Sequence, residues 1–191
     1  MNVVAFNGSP NADGNTAILI RHVLAELERE GIATELVHNG AYGLGGCTDC
    51  GICVEREDGR CAIDDDPVND WIDKMAAADG ILIGSPVYYA NCTASTQALI
   101  ERCGYPPRKA GNPLARKVGA AVIAVRRAGA MHAFDSINHF FLIAEMVVVG
   151  SSYWNIGIGR EPGDVRGDDE GLATMRTLGR NMAWVLKKLH G

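Results

Sequence analysis

Apolar positions along this chain fall into two alternating patterns. Short unbroken apolar runs, bounded by glycine or proline, occur at residues 3–6, 81–83, 118–125 and 146–149. Each has the length and composition of a strand buried on both faces. Between them apolar residues recur at helical spacing. Ala17, Leu19, Ile20, Val23, Leu24 and Leu27 cover one broad face before Gly31 stops the pattern. Leu172, Met175, Leu178, Met182, Val185, Leu186 and Leu189 repeat it near the C-terminal end. A further strand near residues 34–38 and helices near 67–78, 93–103 and 133–144 complete five β/α alternations. Parallel strands need helix-length crossovers, so the pattern predicts an α/β fold, a doubly wound parallel sheet with helices on both faces. In such sheets ligands sit beyond the carboxyl ends of the strands, where the strand order reverses. The loops that follow the strands are therefore where chemistry is expected.

Composition narrows the picture. With 191 residues, 47% of them hydrophobic, there is material for one full core, and a single domain over 1–191 is expected. The net charge of −5, with lysines and arginines scattered, gives no basic footprint for nucleic acid. No apolar run approaches the roughly 18 residues that span a bilayer, and the first residues lack a signal-peptide layout. A cytoplasmic protein with no membrane partner is expected. Six cysteines in a reducing compartment then point away from disulfides and toward metal ligation or thiol chemistry.

The first strand runs into Asn7-Gly8-Ser9-Pro10-Asn11-Ala12-Asp13-Gly14-Asn15-Thr16, after which the first helix begins. Glycines let the backbone turn tightly, Ser9, Asn15 and Thr16 can donate to phosphate oxygens, and free N–H groups at a helix start favour an anion. The loop is neither GxxxxGK[ST] nor GxGxxG. An ordinary βα turn capped by Asn15 or Thr16 is the alternative. The third strand leads into Gly84-Ser85-Pro86-Val87-Tyr88-Tyr89-Ala90-Asn91, where two tyrosines beside free backbone N–H groups suit a planar ring, or simply rim packing. After the fourth strand come Arg126, Arg127 and Gly129; the arginines suit a ligand edge, a nucleotide phosphate, an acidic partner or plain solvent. His132, Asp135 and His139 follow without an evident partner.

Cys47-Thr48-Asp49-Cys50-Gly51-Ile52-Cys53, then seven residues, then Cys61, make a compact four-cysteine motif within a loop at about residues 43–63. With Gly45, Gly46 and Gly51 permitting sharp turns, three thiolates can wrap one face of an iron-sulfur cubane while the fourth closes it. Structural zinc more often uses two separated CxxC pairs, and free or redox-active thiols are the remaining reading. Cys103 fits a buried helix position, and Cys92 lies close to the 84–91 loop.

These motifs together resemble one known group. GSPNADGNT is similar to the GSPRxxGNT signature of the NADPH-dependent FMN reductase and iron-sulfur flavoprotein group within the flavodoxin-like superfamily, and GSPVYY resembles its second signature. The resemblance covers nearly the whole chain. It implies a flavodoxin-like five-stranded sheet of order 2-1-3-4-5 and a bound FMN. Ser9, Asn15 and Thr16 would hold the phosphate, with Asn11 where the group often has Arg or Lys. Pro86, Val87, Tyr88 and Tyr89 would line the flavin, and Arg126, Arg127 and Gly129 would form a flavin-edge loop. Cys47, Cys50, Cys53 and Cys61 match the positions that carry a 4Fe-4S cluster in iron-sulfur flavoproteins. The function implied is electron transfer between cluster, FMN and an external redox partner such as a ferredoxin or a small-molecule acceptor, with no side chain required as acid or base. The rivals are an NAD(P)H-dependent flavin or quinone reductase without a cluster, with NAD(P)H as donor, and a non-catalytic flavin-binding regulatory protein. A homodimer or homotetramer is also implied, and the apolar stretches 139–142 and 153–156 fit either an interface or the core.

Overall fold

A computed structural model describes all 191 residues. Strand β1 (Asn2–Asn7) lies between β2 (Ala33–Val37) and β3 (Gly80–Pro86), and β4 (Val118–Val125) follows β3. Beyond β4 lie two short strands, β5 (Val147–Val148) and β6 (Ile156–Ile158). All pairings are parallel and the order is β2-β1-β3-β4-β5, as the resemblance implied. The helices are α1 (Asn15–Arg29), α2 (Ile52–Arg56), α3 (Val68–Ala77), α4 (Ala94–Lys109), α5 (Ala130–Ile143) and α6 (Asp169–His190). None of them is long and apolar enough to cross a membrane.

Strand parity explains the unbroken apolar runs. Val3, Ala5, Leu82, Ala120, Val122 and Ala124 face one way and pack on α1 and α6. Their neighbours Val4, Phe6, Ile81, Ile83, Ala121 and Ile123 face the other way and pack on α3, α4 and α5. A strand whose alternate side chains both meet helices has no face left for polar residues. Because β1 has β2 on one side and β3 on the other, the connections leaving β1 and β3 diverge and open a crevice at the carboxyl edge of the sheet.

The fifth strand position differs from the expected run of 146–149. β5 pairs only with the start of β4 and β6 only with its end. Buried Asn155 bridges the gap: its Nδ2 donates to the Ala121 carbonyl at 3.0 Å, while Ser151 Oγ donates to its Oδ1 at 2.6 Å. The ladder is thus completed by a side chain. Helix α4 also outlasts the expected end at residue 103, continuing through Pro106 and Pro107 to Lys109. In the 139–142 stretch Phe140 and Phe141 are core residues, whereas Leu142 is exposed, as are Tyr153 and Trp154.

Candidate functional site

The crevice is shaped first by Asn7. Its Oδ1 accepts from Ser9 N at 3.1 Å, and its Nδ2 donates to the carbonyls of Asn11 and Ala12, curling the loop after β1. Ser9 Oγ accepts from Asn11 N at 3.1 Å within the curl. Gly8 N donates to Gly84 O, Thr93 Oγ1 donates to Gly8 O, and a Cβ on Gly8 would collide with Thr96 Oγ1. The loop is therefore pinned to β3 and to the start of α4, at a spacing only glycine allows.

Helix α1 begins at this curl without a side-chain cap. The N–H of Ile18 donates to Gly14 O, so those of Asn15, Thr16 and Ala17, in the first turn, lack intrahelical acceptors. Thr16 Oγ1 is buried and has no hydrogen-bond partner. A buried hydroxyl beside an uncapped helix start is the arrangement an anionic group satisfies.

These groups line a cleft of about 190 Å³. Ser9, Asn11, Gly14, Asn15 and Thr16 form one wall, Pro86, Val87 and Tyr88 another, and Ala124 and Arg126 the floor towards β4. The remaining wall, Gly159, Arg160 and Pro162, follows β6 and was absent from the sequence-based set. Arg126 and Arg160 both line the cleft, and Arg160 also pairs with Glu161 at 3.1 Å.

Several expected residues take other positions. The Asn15 amide does not face an open cleft: Nδ2 donates to Glu161 O at 3.0 Å, and Oδ1 accepts from Gly163 N at 2.8 Å and Val165 N at 3.3 Å. Asn15 is thus a clasp on the 159–165 segment, leaving its backbone N–H for a ligand. Arg127 turns into a separate groove with Tyr153, Trp154 and Asp168. Tyr89 is fully exposed at the tip of a turn in which Tyr88 and Asn91 exchange backbone hydrogen bonds. Gly129 opens α5 with φ +84°, and a Cβ there would lie 2.9 Å from Ala90 Cα, so it packs the 126–129 loop against that turn. His132 and Asp135 line neither the cleft nor the cysteine cavity, and His139 lines the groove between α4 and α5.

The second candidate centre lies further along α4. Gly51, in the left-handed region at φ 76°, starts α2, which carries the buried Cys53. Cys61 is half-buried, and Cys47 and Cys50 are exposed. All four thiols line one small cavity with Ile63, Glu101, Arg102 and Tyr105. Burial, and then the neighbouring Cys50 thiol, push the Cys53 thiol up from its ordinary pKa. No three potential ligands stand within reach of a single metal ion, while the four cysteines share the lining of one cavity. Asn69 brackets Cys61, accepting from its N–H at 2.8 Å and donating to its carbonyl at 3.0 Å. Glu101 accepts from Cys47 N at 3.0 Å. Arg102, buried on α4, donates from Nε to Cys61 Sγ at 3.4 Å. The other two cysteines stand apart, with Cys103 fully buried and pushed up by that burial. From Thr93, which caps α4 and holds the loop after β1, to Glu101 at the cysteines is eight residues, roughly 12 Å of helix.

Comparison with known proteins agrees with this geometry. The profile of the NADPH-dependent FMN reductase family matches residues 1–161. An iron-sulfur flavoprotein of Methanocaldococcus jannaschii is 40% identical over 98% of both chains. An iron-sulfur flavoprotein of Methanosarcina thermophila is 32% identical over 98% of this chain and 96% of its own. Among solved structures, a flavodoxin from the domain Archaea superposes with a TM-score of 0.64 at 15% identity, covering 98% of this chain and 99% of that one, a likeness of fold. Matched over most of its length by the profile and nearly end to end by these relatives, the chain belongs to the NADPH-dependent FMN reductase family of flavin-dependent oxidoreductases.

Proposed function

We propose that the chain is an iron-sulfur flavoprotein, holding FMN in the cleft and a 4Fe-4S cluster on Cys47, Cys50, Cys53 and Cys61, and passing electrons between these and an external redox partner. The observation that carries the reading is the convergence of four cysteines from one loop on one cavity, beside the helix whose N-cap, Thr93, is bonded to the loop after β1. The relatives' names support it.

At the cleft, the phosphate would take the backbone N–H groups of Asn15, Thr16 and Ala17 and the Thr16 hydroxyl, with Ser9 and Asn11 alongside. Arg126 and Arg160 supply positive charge, in place of the basic residue that Asn11 replaces. Pro86, Val87 and Tyr88 form the wall for the ring. FMN supplies the one- and two-electron chemistry, and the protein supplies position and environment. Arg127, Tyr89 and Gly129 act from outside the cleft, Gly129 by packing its loops.

Protein purified without oxygen should carry FMN together with about four irons and four acid-labile sulfides per chain. Flavin without iron, reduced directly by NAD(P)H, would instead establish a cluster-free reductase.

Thr16 gives an independent check on the cleft. Thr16→Val is expected to weaken FMN binding at least tenfold, since a hydrogen bond to a charged group contributes about 1.5–3 kcal/mol. The same change removes an unpartnered buried hydroxyl, so the FMN-free protein should be no less stable, as urea unfolding would show. Unchanged affinity in a fluorescence titration would remove Thr16 from the phosphate site.

A further inference from the structure

Arg102 is the largest fully buried side chain in the protein, 1% exposed, and none of the sequence motifs includes it. All five of its N–H groups are used. Nη1 donates to Asp66 Oδ2 at 2.5 Å and Gly45 O at 3.4 Å; Nη2 donates to Asp66 Oδ1 at 3.1 Å and Ile63 O at 3.1 Å; Nε donates to Cys61 Sγ at 3.4 Å. One side chain on α4 thus fastens both arms of the cysteine loop, residue 45 ahead of Cys47 and residues 61–66 behind Cys53.

Asp66 alone would supply the countercharge for a buried arginine. The remaining donors go to two loop carbonyls and to a sulfur. A guanidinium stays protonated in proteins, so the group beside Cys61 is a permanent cation.

We propose that Arg102, held by Asp66, is a positioning residue for Cys61 that also raises the reduction potential of the cluster; this rests on the iron-sulfur reading above. The reduced cluster carries one more negative charge than the oxidised one. A cationic N–H donor on a ligating sulfur favours the more negative form, because hydrogen bonds to sulfur and local net charge set the potentials of such clusters. Asp66 opposes the effect. Its carboxylate shares the guanidinium, and removing its charge leaves Arg102 less compensated.

The two members of the pair must then act with opposite signs, which a merely structural brace would not do. In the holoprotein, an EPR-monitored redox titration should place the cluster potential of Arg102→Gln below wild type and that of Asp66→Asn above it, with FMN content unchanged. Potentials that shift the same way, or not at all, overturn the electrostatic role. Should Arg102→Gln take up no iron while keeping its FMN, Arg102→Lys and Asp66→Asn supply the comparison: Lys keeps the charge but not the fork, so iron content should fall while the potential of the remaining cluster stays near wild type. Positioning is read without metal. In iron-free protein, limited proteolysis within residues 43–63 should be several-fold faster in Arg102→Gln than in wild type, and equal cutting with full iron content overturns it. A wild-type chain that takes up no iron on anaerobic reconstitution overturns the cluster reading and with it the effect on potential, and the cutting comparison still decides whether Arg102 holds the loop.

Discussion

Cys50→Ser is expected to yield protein with its full complement of FMN and with iron reduced from about four atoms per chain to well below one. Cys50 is exposed, makes no hydrogen bond within the protein and sits on a loop that does not line the flavin cleft. Exchanging sulfur for oxygen at such a position changes stability by only about 0.5 kcal/mol. A neutral hydroxyl is also a harder and weaker ligand for iron-sulfur chemistry than a thiolate. The change should therefore separate the two cofactors. Cys92→Ser is the internal control, because Cys92 lies beside the Tyr88–Asn91 turn and outside the four-thiol cavity. It should keep its iron. Iron, sulfide and FMN measured on the same preparations decide the matter: a Cys50→Ser protein with full iron, or a Cys92→Ser protein without it, would sink the assignment of the cluster to the motif.

The fold was legible wherever burial dictates a simple period. Strand β4 coincides with the apolar run 118–125, and β1 and β3 extend their expected runs by one to three residues at either end, because helices cover both faces of the sheet and leave its strands no polar alternation. The edge was not legible. β6 has three residues, of which Gly157 is the middle one, and its place beside β4 depends on Asn155 standing in for a ladder residue. No periodicity announces a strand that short. Helix α4 runs past the expected 93–103 through Pro106 and Pro107, residues that normally end a helix. Its C-terminal turns are instead held by packing, with Pro106 and Pro107 both buried.

The site divides along a similar line. Residues in contiguous loops were readable: Ser9, Thr16, Pro86 and Val87 reach one cleft, and the four cysteines one cavity. What the sequence concealed was side-chain direction and long-range company. Arg126 and Arg127 are adjacent, yet only the first lines the cleft, because alternate residues leave a strand end on opposite faces. Arg160 reaches the cleft through an unseen strand. Arg102 sits in a helix whose pattern reads as amphipathic, where an arginine ordinarily means solvent; its burial follows only once Asp66 and the cysteine loop fold over it.

Asn15 brings the two kinds of information together, and its substitutions are expected to separate fold from binding. In Asn15→Ala the carbonyl of Glu161 and the N–H groups of Gly163 and Val165 lose their partner. An unsatisfied buried group costs about 1–3 kcal/mol; water can reach part of this segment, so a total loss of about 2–3 kcal/mol is expected in urea unfolding of the FMN-free protein. The 159–165 segment carries Arg160, so FMN binding should also weaken, by roughly tenfold if one charge-assisted contact loses its placement. Asn15→Asp behaves differently. It keeps an acceptor for Gly163 and Val165, and its charge suits the first turn of α1, so it should be the more stable of the two variants. That same charge would stand beside the proposed phosphate position, so it should be the weaker binder of FMN. Stability should therefore fall from wild type to Asp to Ala, and affinity from wild type to Ala to Asp. If affinity instead follows the order of stability, the start of α1 is only a structural joint, and the phosphate must be held elsewhere in the crevice.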